Sequence, residues 1–89
     1  MMPEFTRIEI YSRPGCHLCD EAKAAIEPFM RRYSIDLSVT DVDSDPALRQ
    51  AYGSEIPVVM INGKEAFRHR VDGGLLEGKL KELWNKSTS

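Results

Sequence analysis

Apolar and polar residues follow two different periods along this chain. Ile8 and Ile10 alternate with polar neighbours, which predicts a strand from Arg7 to Tyr11. From Cys16 onward the apolar residues recur every three or four positions, as they do on the buried face of a helix. They are Leu18, Ala22, Ala25, Ile26, Phe29, Met30 and Tyr33. Pro28 falls within this segment and predicts a kink or a change of helical turn, because proline cannot donate the helical hydrogen bond.

The middle of the chain predicts a strand followed by a short helix. Three apolar residues alternate with polar ones, so we expect a strand with one covered face at the edge of a sheet. They are Ile35, Leu37 and Val39. Asp45 then supplies a helix cap, and Pro46 supplies a first-turn proline. The helix is expected to run from about Pro46 to Tyr52 and to stop at Gly53.

The last third of the chain predicts a hairpin and a terminal helix. The unbroken apolar run from Val58 to Ile61 is typical of a central strand. Asn62 and Gly63 form a turn into a further strand, from Lys64 to Arg70. A terminal helix is expected to begin after the Gly73–Gly74 pair and to carry one apolar stripe. The stripe consists of Leu76, Leu80, Leu83 and Trp84.

The predicted element order is βαβαββα, which indicates an α/β fold. The early strand–helix–strand connections make parallel pairs and the late hairpin makes antiparallel pairs, so the four-stranded sheet must be mixed. A chain of 89 residues, 42% of them hydrophobic, has room for one compact domain over residues 1–89.

Charge and hydropathy exclude several kinds of partner. Acidic residues outnumber basic ones by 14 to 12, so the chain offers no electrostatic surface for nucleic acid or for an anionic membrane. No apolar run approaches the ~20 residues that span a bilayer, and the first residues lack the pattern of a signal peptide. We therefore expect a cytoplasmic protein. In a reducing cytosol a lone pair of close cysteines is more often catalytic or metal-binding than structural.

Cys16 and Cys19 form a Cys-x-x-Cys motif where the first strand gives way to the first helix. A cysteine at a helix start faces unpaired amide groups and the positive end of the helix dipole, which favour the thiolate and lower its pKa to roughly 3.5 to 7.5. Arg13 adds a positive charge, whereas Asp20 and Glu21 oppose its effect. Cys19 should lie deeper, so we expect Cys16 to attack a substrate disulfide and Cys19 to resolve the mixed disulfide.

The motif by itself leaves two other functions open. A zinc site normally has four ligands, so the cysteines, His17 and His69 would hold zinc or support an iron–sulfur cluster readily only in a dimer. A redox-inert interaction domain is the second alternative. We expect no metal ligands in the monomer. His17 is interpreted as a solvated residue that tunes Cys16, and His69 as an ordinary strand residue.

Three segments, YSRPGCHLC, EIPVVMING and VDGG, resemble the glutaredoxins and their bacterial glutaredoxin-like relatives, and the similarity covers nearly the whole chain. The resemblance implies a minimal thioredoxin fold with helices on both faces of the sheet. It also implies a monomeric thiol-disulfide oxidoreductase without a bound cofactor, which reduces disulfide-containing proteins or glutathione mixed disulfides. Glutathione, as a reducing co-substrate, or a thioredoxin reductase would supply the electrons.

The resemblance further implies a substrate site around Cys16. The family holds the bond before the proline of its Ile-Pro or Val-Pro segment in cis, which leaves the preceding backbone free to pair with a thiol substrate. The family also often places a cation shortly before the motif, where it binds the glycyl carboxylate of glutathione. The expected substrate-binding and glutathione-binding residues are Arg13, His17, Ile56, Pro57, Gly73 and Gly74.

Two departures from the family pattern predict loose glutathione binding. His17 and Leu18 replace the proline and tyrosine that are common between the cysteines. Leu75 and Leu76 follow the glycine pair, where typical members carry acidic residues that bind the γ-glutamyl end of glutathione. We therefore expect Leu76→Asp to supply the missing acid and to lower the KM for a glutathione mixed disulfide.

Overall fold

The computed structural model describes residues 6–88, with side chains as far as residue 83. Its elements follow the predicted order βαβαββα, which is therefore confirmed. The strands are β1 (Thr6–Ser12), β2 (Ile35–Asp41), β3 (Val58–Ile61) and β4 (Lys64–Arg68), and the helices are α1 (His17–Ile26), α2 (Pro46–Tyr52) and α3 (Gly73–Thr88). Short 3-10 helices follow α1 at Glu27–Phe29 and β2 at Val42–Ser44.

These strands form the predicted four-stranded mixed sheet, and their order across it is β2-β1-β3-β4. β1 runs parallel to β2, and β3 runs antiparallel to both β1 and β4, so β2 is the edge strand that the sequence indicated. At one end of the sheet Ser12 lies beside Asp41, and Val58 lies between Tyr11 and Arg68. This register brings the loops that follow β1, β2 and β4 to the same end as the loop that precedes β3.

Helices cover both faces of the sheet, as the resemblance implied. On one face α1 and α3 pack against β1 and β3. On the other face α2 lies over β1, where the ring of Tyr52 stacks on that of Tyr11 with 4.9 Å between centroids. The buried core on the first face consists of Ile8, Ile10, Ile26, Tyr33, Ile35, Val59, Ile61, Leu76 and Leu80. The side chain of Trp84, predicted to continue the stripe of α3, lies outside the described residues.

Prolines and caps set the element boundaries much as the sequence indicated. α1 ends at Ile26 and passes into a 3-10 turn that contains Pro28, which confirms the predicted change of helical turn. The Asp45 carboxylate accepts a hydrogen bond from the backbone N–H of Ala47 at 2.9 Å, so α2 begins at Pro46. The helix ends before Gly53, as predicted. Asn62 and Gly63 adopt φ values of 51° and 83° in the predicted hairpin turn.

The end of β4, the start of α3 and the exposure of one side chain of β2 differ from the prediction. β4 ends at Arg68 rather than Arg70, because His69 adopts a φ of 69° and leaves the strand conformation. α3 begins at Gly73 rather than after the glycine pair, since the Asp72 carboxylate accepts a hydrogen bond from the N–H of Leu75 and caps the helix. Val39, which was expected on the covered face of β2, is 48% exposed and lines an open groove with Asp20 and Lys23 of α1.

Candidate active site

The candidate site lies at the end of the sheet where four loops meet. The loop after β1 carries the cysteine motif, and the loop before β3 carries Ile56 and Pro57. Their proximity follows from the antiparallel pairing of Tyr11 with Val58. Arg68 also pairs with Val58, so the segment that leads from β4 into α3 reaches the same end. Residues far apart in sequence are therefore gathered around the motif by the sheet register.

The two cysteines occupy different environments at the start of α1. Gly15, with a φ of 80°, turns the chain so that Cys16 becomes the cap residue that precedes the helix. The backbone N–H of Cys19 donates a hydrogen bond to the sulfur of Cys16 at 3.2 Å. Cys19 is only 2% exposed, whereas Cys16 is half-buried. The two residues form a disulfide with their α carbons 5.2 Å apart.

This arrangement can support the predicted chemistry. A sulfur at a helix cap receives amide hydrogen bonds and the positive end of the helix dipole, both of which stabilise a thiolate. The buried sulfur of Cys19 lies next to that of Cys16, where it can resolve a mixed disulfide. The assignment of attack to Cys16 and resolution to Cys19 remains a prediction.

The residues between the cysteines face outward to different degrees. His17, the first residue of α1, is exposed. Leu18 is half-buried and lines a groove between α1 and the segment that follows β4. The other residues of this groove are Glu21, Ala22, His69, Arg70 and Val71. The groove lies on one side of the motif.

Arg13 lies in the loop before the motif, where it is already engaged in an ion pair. Its Nε and Nη2 atoms donate to the two carboxylate oxygens of Asp43, each at 3.0 Å. The hydrogen bond from Arg13 lowers the pKa of Asp43 below its ordinary value, and the same bond raises the pKa of Arg13. Nothing in the sequence pattern indicates that Asp43 contacts Arg13. The two residues meet because Ser12 and Asp41 are paired at the ends of parallel strands.

Ile56 and Pro57 form the expected cis peptide bond. Pro57 is buried and Ile56 is half-buried. The Pro57 carbonyl accepts a hydrogen bond from the backbone N–H of His69 at 2.8 Å, and the His69 ring pairs with the carboxylate of Glu55. His69 therefore connects the segment after β4 to both sides of the Ile56–Pro57 bond, a position that its interpretation as an ordinary strand residue missed.

Gly73 and Gly74 form the first turn of α3, and the two leucines that follow them point in different directions. Leu75 is 63% exposed, whereas Leu76 is 0% exposed and belongs to the core. The expectation that Leu76→Asp would present an acid to a substrate is therefore wrong, because that carboxylate would enter the core. Of the two leucines, Leu75 is the one at which an acid would face solvent.

Among the described residues, no group of three or more His, Cys, Asp or Glu side chains is arranged as a metal site. Over the same residues, every helix is too short or too polar to cross a membrane.

This chain resembles known proteins in both sequence and fold. The glutaredoxin-like domain family (DUF836) matches residues 7–81. A glutaredoxin-like protein of Dictyostelium discoideum is 32% identical over an alignment of 71 residues. The match covers 73% of this chain and 66% of that protein, which is just under two thirds of the relative.

Two solved structures show the same architecture. The solution NMR structure of a protein from Nitrosomonas europaea has a TM-score of 0.76 and 25% identity, and the match covers 89% of this chain and 95% of the other. A mutant thioredoxin from Halobacterium salinarum has a TM-score of 0.64 and covers 88% and 74% of the two chains. At 18% identity this second likeness shows the thioredoxin fold alone.

Proposed function

Because the chain belongs to the glutaredoxin-like domain family, we propose that it is a thiol-disulfide oxidoreductase that reduces protein disulfides or glutathione mixed disulfides through Cys16 and Cys19. The observation that carries the proposal is the contact at the start of α1. There the amide of Cys19 donates to the sulfur of Cys16, and the two sulfurs are close enough to form a disulfide. A thiolate held in this way is both stabilised and adjacent to its resolving partner.

The proposed reaction begins with the dithiol form. The Cys16 thiolate attacks one sulfur of the substrate disulfide, the substrate S–S bond breaks, and one substrate thiolate leaves. Deprotonated Cys19 then attacks the sulfur of Cys16, which forms the Cys16–Cys19 bond and releases the second substrate thiol. Two electrons pass from the enzyme dithiol to the substrate. The burial of Cys19 supports this order, because an external disulfide has less access to its sulfur.

The loop before β3 is proposed to hold the substrate. Among the described residues, no backbone hydrogen bond uses the N–H or C=O of Ile56. An extended substrate segment can therefore pair with this residue as strands pair in a sheet. The neighbouring Pro57 carbonyl is already bound to His69, which leaves Ile56 as the pairing residue of this loop.

Return of the enzyme to the dithiol form requires an external donor. We propose that two molecules of glutathione or a thioredoxin reductase reduce the Cys16–Cys19 bond, and that no bound cofactor takes part. A reducing cytosol supplies both donors, and we propose it as the compartment of a monomeric enzyme. His17, Gly73 and Gly74 remain proposed contributors to the substrate site.

The test compares the reduced wild type with Cys16→Ser and Cys19→Ser, using a peptide mixed disulfide as substrate. We expect the wild type to release the peptide thiol and Cys16→Ser to lose this exchange. Cys19→Ser should accumulate a covalent adduct at Cys16, which mass spectrometry detects. If Cys16→Ser forms the adduct at Cys19 as readily, the roles are reversed. If none of the three proteins exchanges faster than a Cys16→Ser/Cys19→Ser double variant, the protein is not an oxidoreductase.

A further inference from the structure

We propose that Asp43 is a specificity-determining residue that keeps Arg13 from the carboxylates of small anionic thiols such as glutathione, and thereby favours protein disulfides as substrates. The proposal rests on the oxidoreductase function proposed above.

The guanidinium of Arg13 is already occupied by Asp43. The Asp43 carboxylate accepts from both Nε and Nη2 of Arg13, with both distances at 3.0 Å. This two-point arrangement matches the way a guanidinium binds any carboxylate. A carboxylate of an incoming thiol that used the same face of Arg13 must therefore displace Asp43. The lowered pKa of Asp43 agrees with a carboxylate that stays ionised in the pair.

The other charged residues around Arg13 also disfavour a small anion. Arg13 lines a groove beside the motif together with Ser12, Pro14, Gly15, Asp20, Lys23, Val39 and Asp41. Once Asp43 neutralises Arg13, the charged side chains of this groove are two carboxylates and one ammonium group. This balance repels an anion and accepts a neutral or cationic peptide segment. A protein disulfide with such flanking residues meets no comparable charge penalty.

The exposure of the pair sets the size of the effect. The side chains of Arg13 and Asp43 are 38% and 41% exposed, so water screens their interaction. From the usual strength of exposed ion pairs, release of Arg13 should tighten the binding of an anionic thiol analogue by about two- to fivefold.

A binding experiment tests the inference without any reaction at the cysteines. The probes are S-methylglutathione and its dimethyl ester, in which both carboxylates are neutral, and NMR titration gives the dissociation constants. The proteins are the wild type, Asp43→Asn, Arg13→Gln and the Arg13→Gln/Asp43→Asn double variant. Asp36→Asn, at an exposed position of β2, is the control that removes the same charge without releasing Arg13.

We expect Asp43→Asn to bind S-methylglutathione about two- to fivefold more tightly than the wild type. The gain should be absent for the dimethyl ester, absent in Asp36→Asn and absent when Arg13 is already replaced. Equal gains for both probes, a gain that persists without Arg13, or no binding by Asp43→Asn at the solubility limit of S-methylglutathione would each overturn the inference. Loss of the oxidoreductase function would appear instead in the mixed-disulfide test, which leaves this binding comparison unaffected.

Discussion

Substitution of the two neighbouring leucines of α3 tests which of them packs in the core and which faces solvent. Leu76→Asp and Leu75→Asp introduce the same side chain one residue apart. The first position is 0% exposed and the second is 63% exposed. The structure therefore predicts a large loss of stability for the first variant and almost none for the second.

The expected losses can be estimated from burial. Removing the buried part of a leucine costs about 2–5 kcal/mol, and leaving a polar group without a partner in the core costs about 1–3 kcal/mol more. A typical domain of 89 residues has a free energy of unfolding of about 4–13 kcal/mol, so Leu76→Asp removes much or all of it. For Leu75→Asp, an exposed substitution changes stability by about 0.5 kcal/mol or less, and a carboxylate in the first helical turn contributes about 0.3–1 kcal/mol in favour.

Urea unfolding followed by circular dichroism measures both variants. Leu76→Asp should lower the unfolding midpoint by at least about 1 M or be unfolded without urea, whereas Leu75→Asp should stay close to the wild type. Leu76→Ala is the control that separates the lost packing from the added charge, and it should lie between the wild type and Leu76→Asp. Equal midpoints for the two aspartate variants would show that α3 is rotated relative to this description.

Three smaller predictions concern the site and the turns. Leu75→Asp should lower the KM for a glutathione mixed disulfide while Leu75→Asn does not, and unchanged steady-state kinetics would place the γ-glutamyl contact elsewhere. The carboxyl carbon of Asp43, followed by NMR, should titrate at lower pH in the wild type than in Arg13→Gln, because the pair lowers the pKa of Asp43. The stabilising effect of the pair is therefore present above the ordinary aspartate pKa and is lost as the pH falls through the lowered pKa. Coincident titrations in the two proteins would contradict the pair. Gly63→Ala should lower the free energy of unfolding by about 1–2 kcal/mol, because Gly63 has a φ of 83°. Gly78→Ala, at a position of α3 with open space around it, should raise the free energy of unfolding by about 0.5–1 kcal/mol. Thermal melts in which both variants shift in the same direction would refute this contrast.

The sequence predicts the element order and most boundaries because single residues determine them. Pro28 lies in the interior of a helical pattern, where proline disrupts the backbone hydrogen bonds, whereas Asp45 with Pro46 in the first turn specifies a helix start. The burial of Leu76 was also predictable, since Leu76 and Leu80 belong to the same helical stripe. The prediction for Leu76→Asp was wrong because the helical period, and not the distance from the glycine pair, determines which side chains of α3 enter the core.

The Arg13–Asp43 pair lay beyond sequence reasoning for a different reason. The two residues are 30 positions apart, and their meeting depends on the pairing of Ser12 with Asp41 in parallel strands. A shift of that register by one residue would reverse which side chains of β2 face the core. The sequence indicates that two strands exist but does not specify their pairing to a single residue. The contact of His69 with Glu55 depends on tertiary structure in the same way.

The edge position of β2 affects how copies of this protein behave at high concentration. An open strand edge presents unpaired backbone groups to which another molecule can add a strand. Asp36 and Asp41 place negative charge near the two ends of β2. We expect antiparallel addition of a second copy to be disfavoured at the register that sets Asp36 opposite Asp41, because like charges directly opposite each other on neighbouring strands repel. We expect this repulsion to oppose strand addition at the edge, even though Val39 exposes an apolar side chain there.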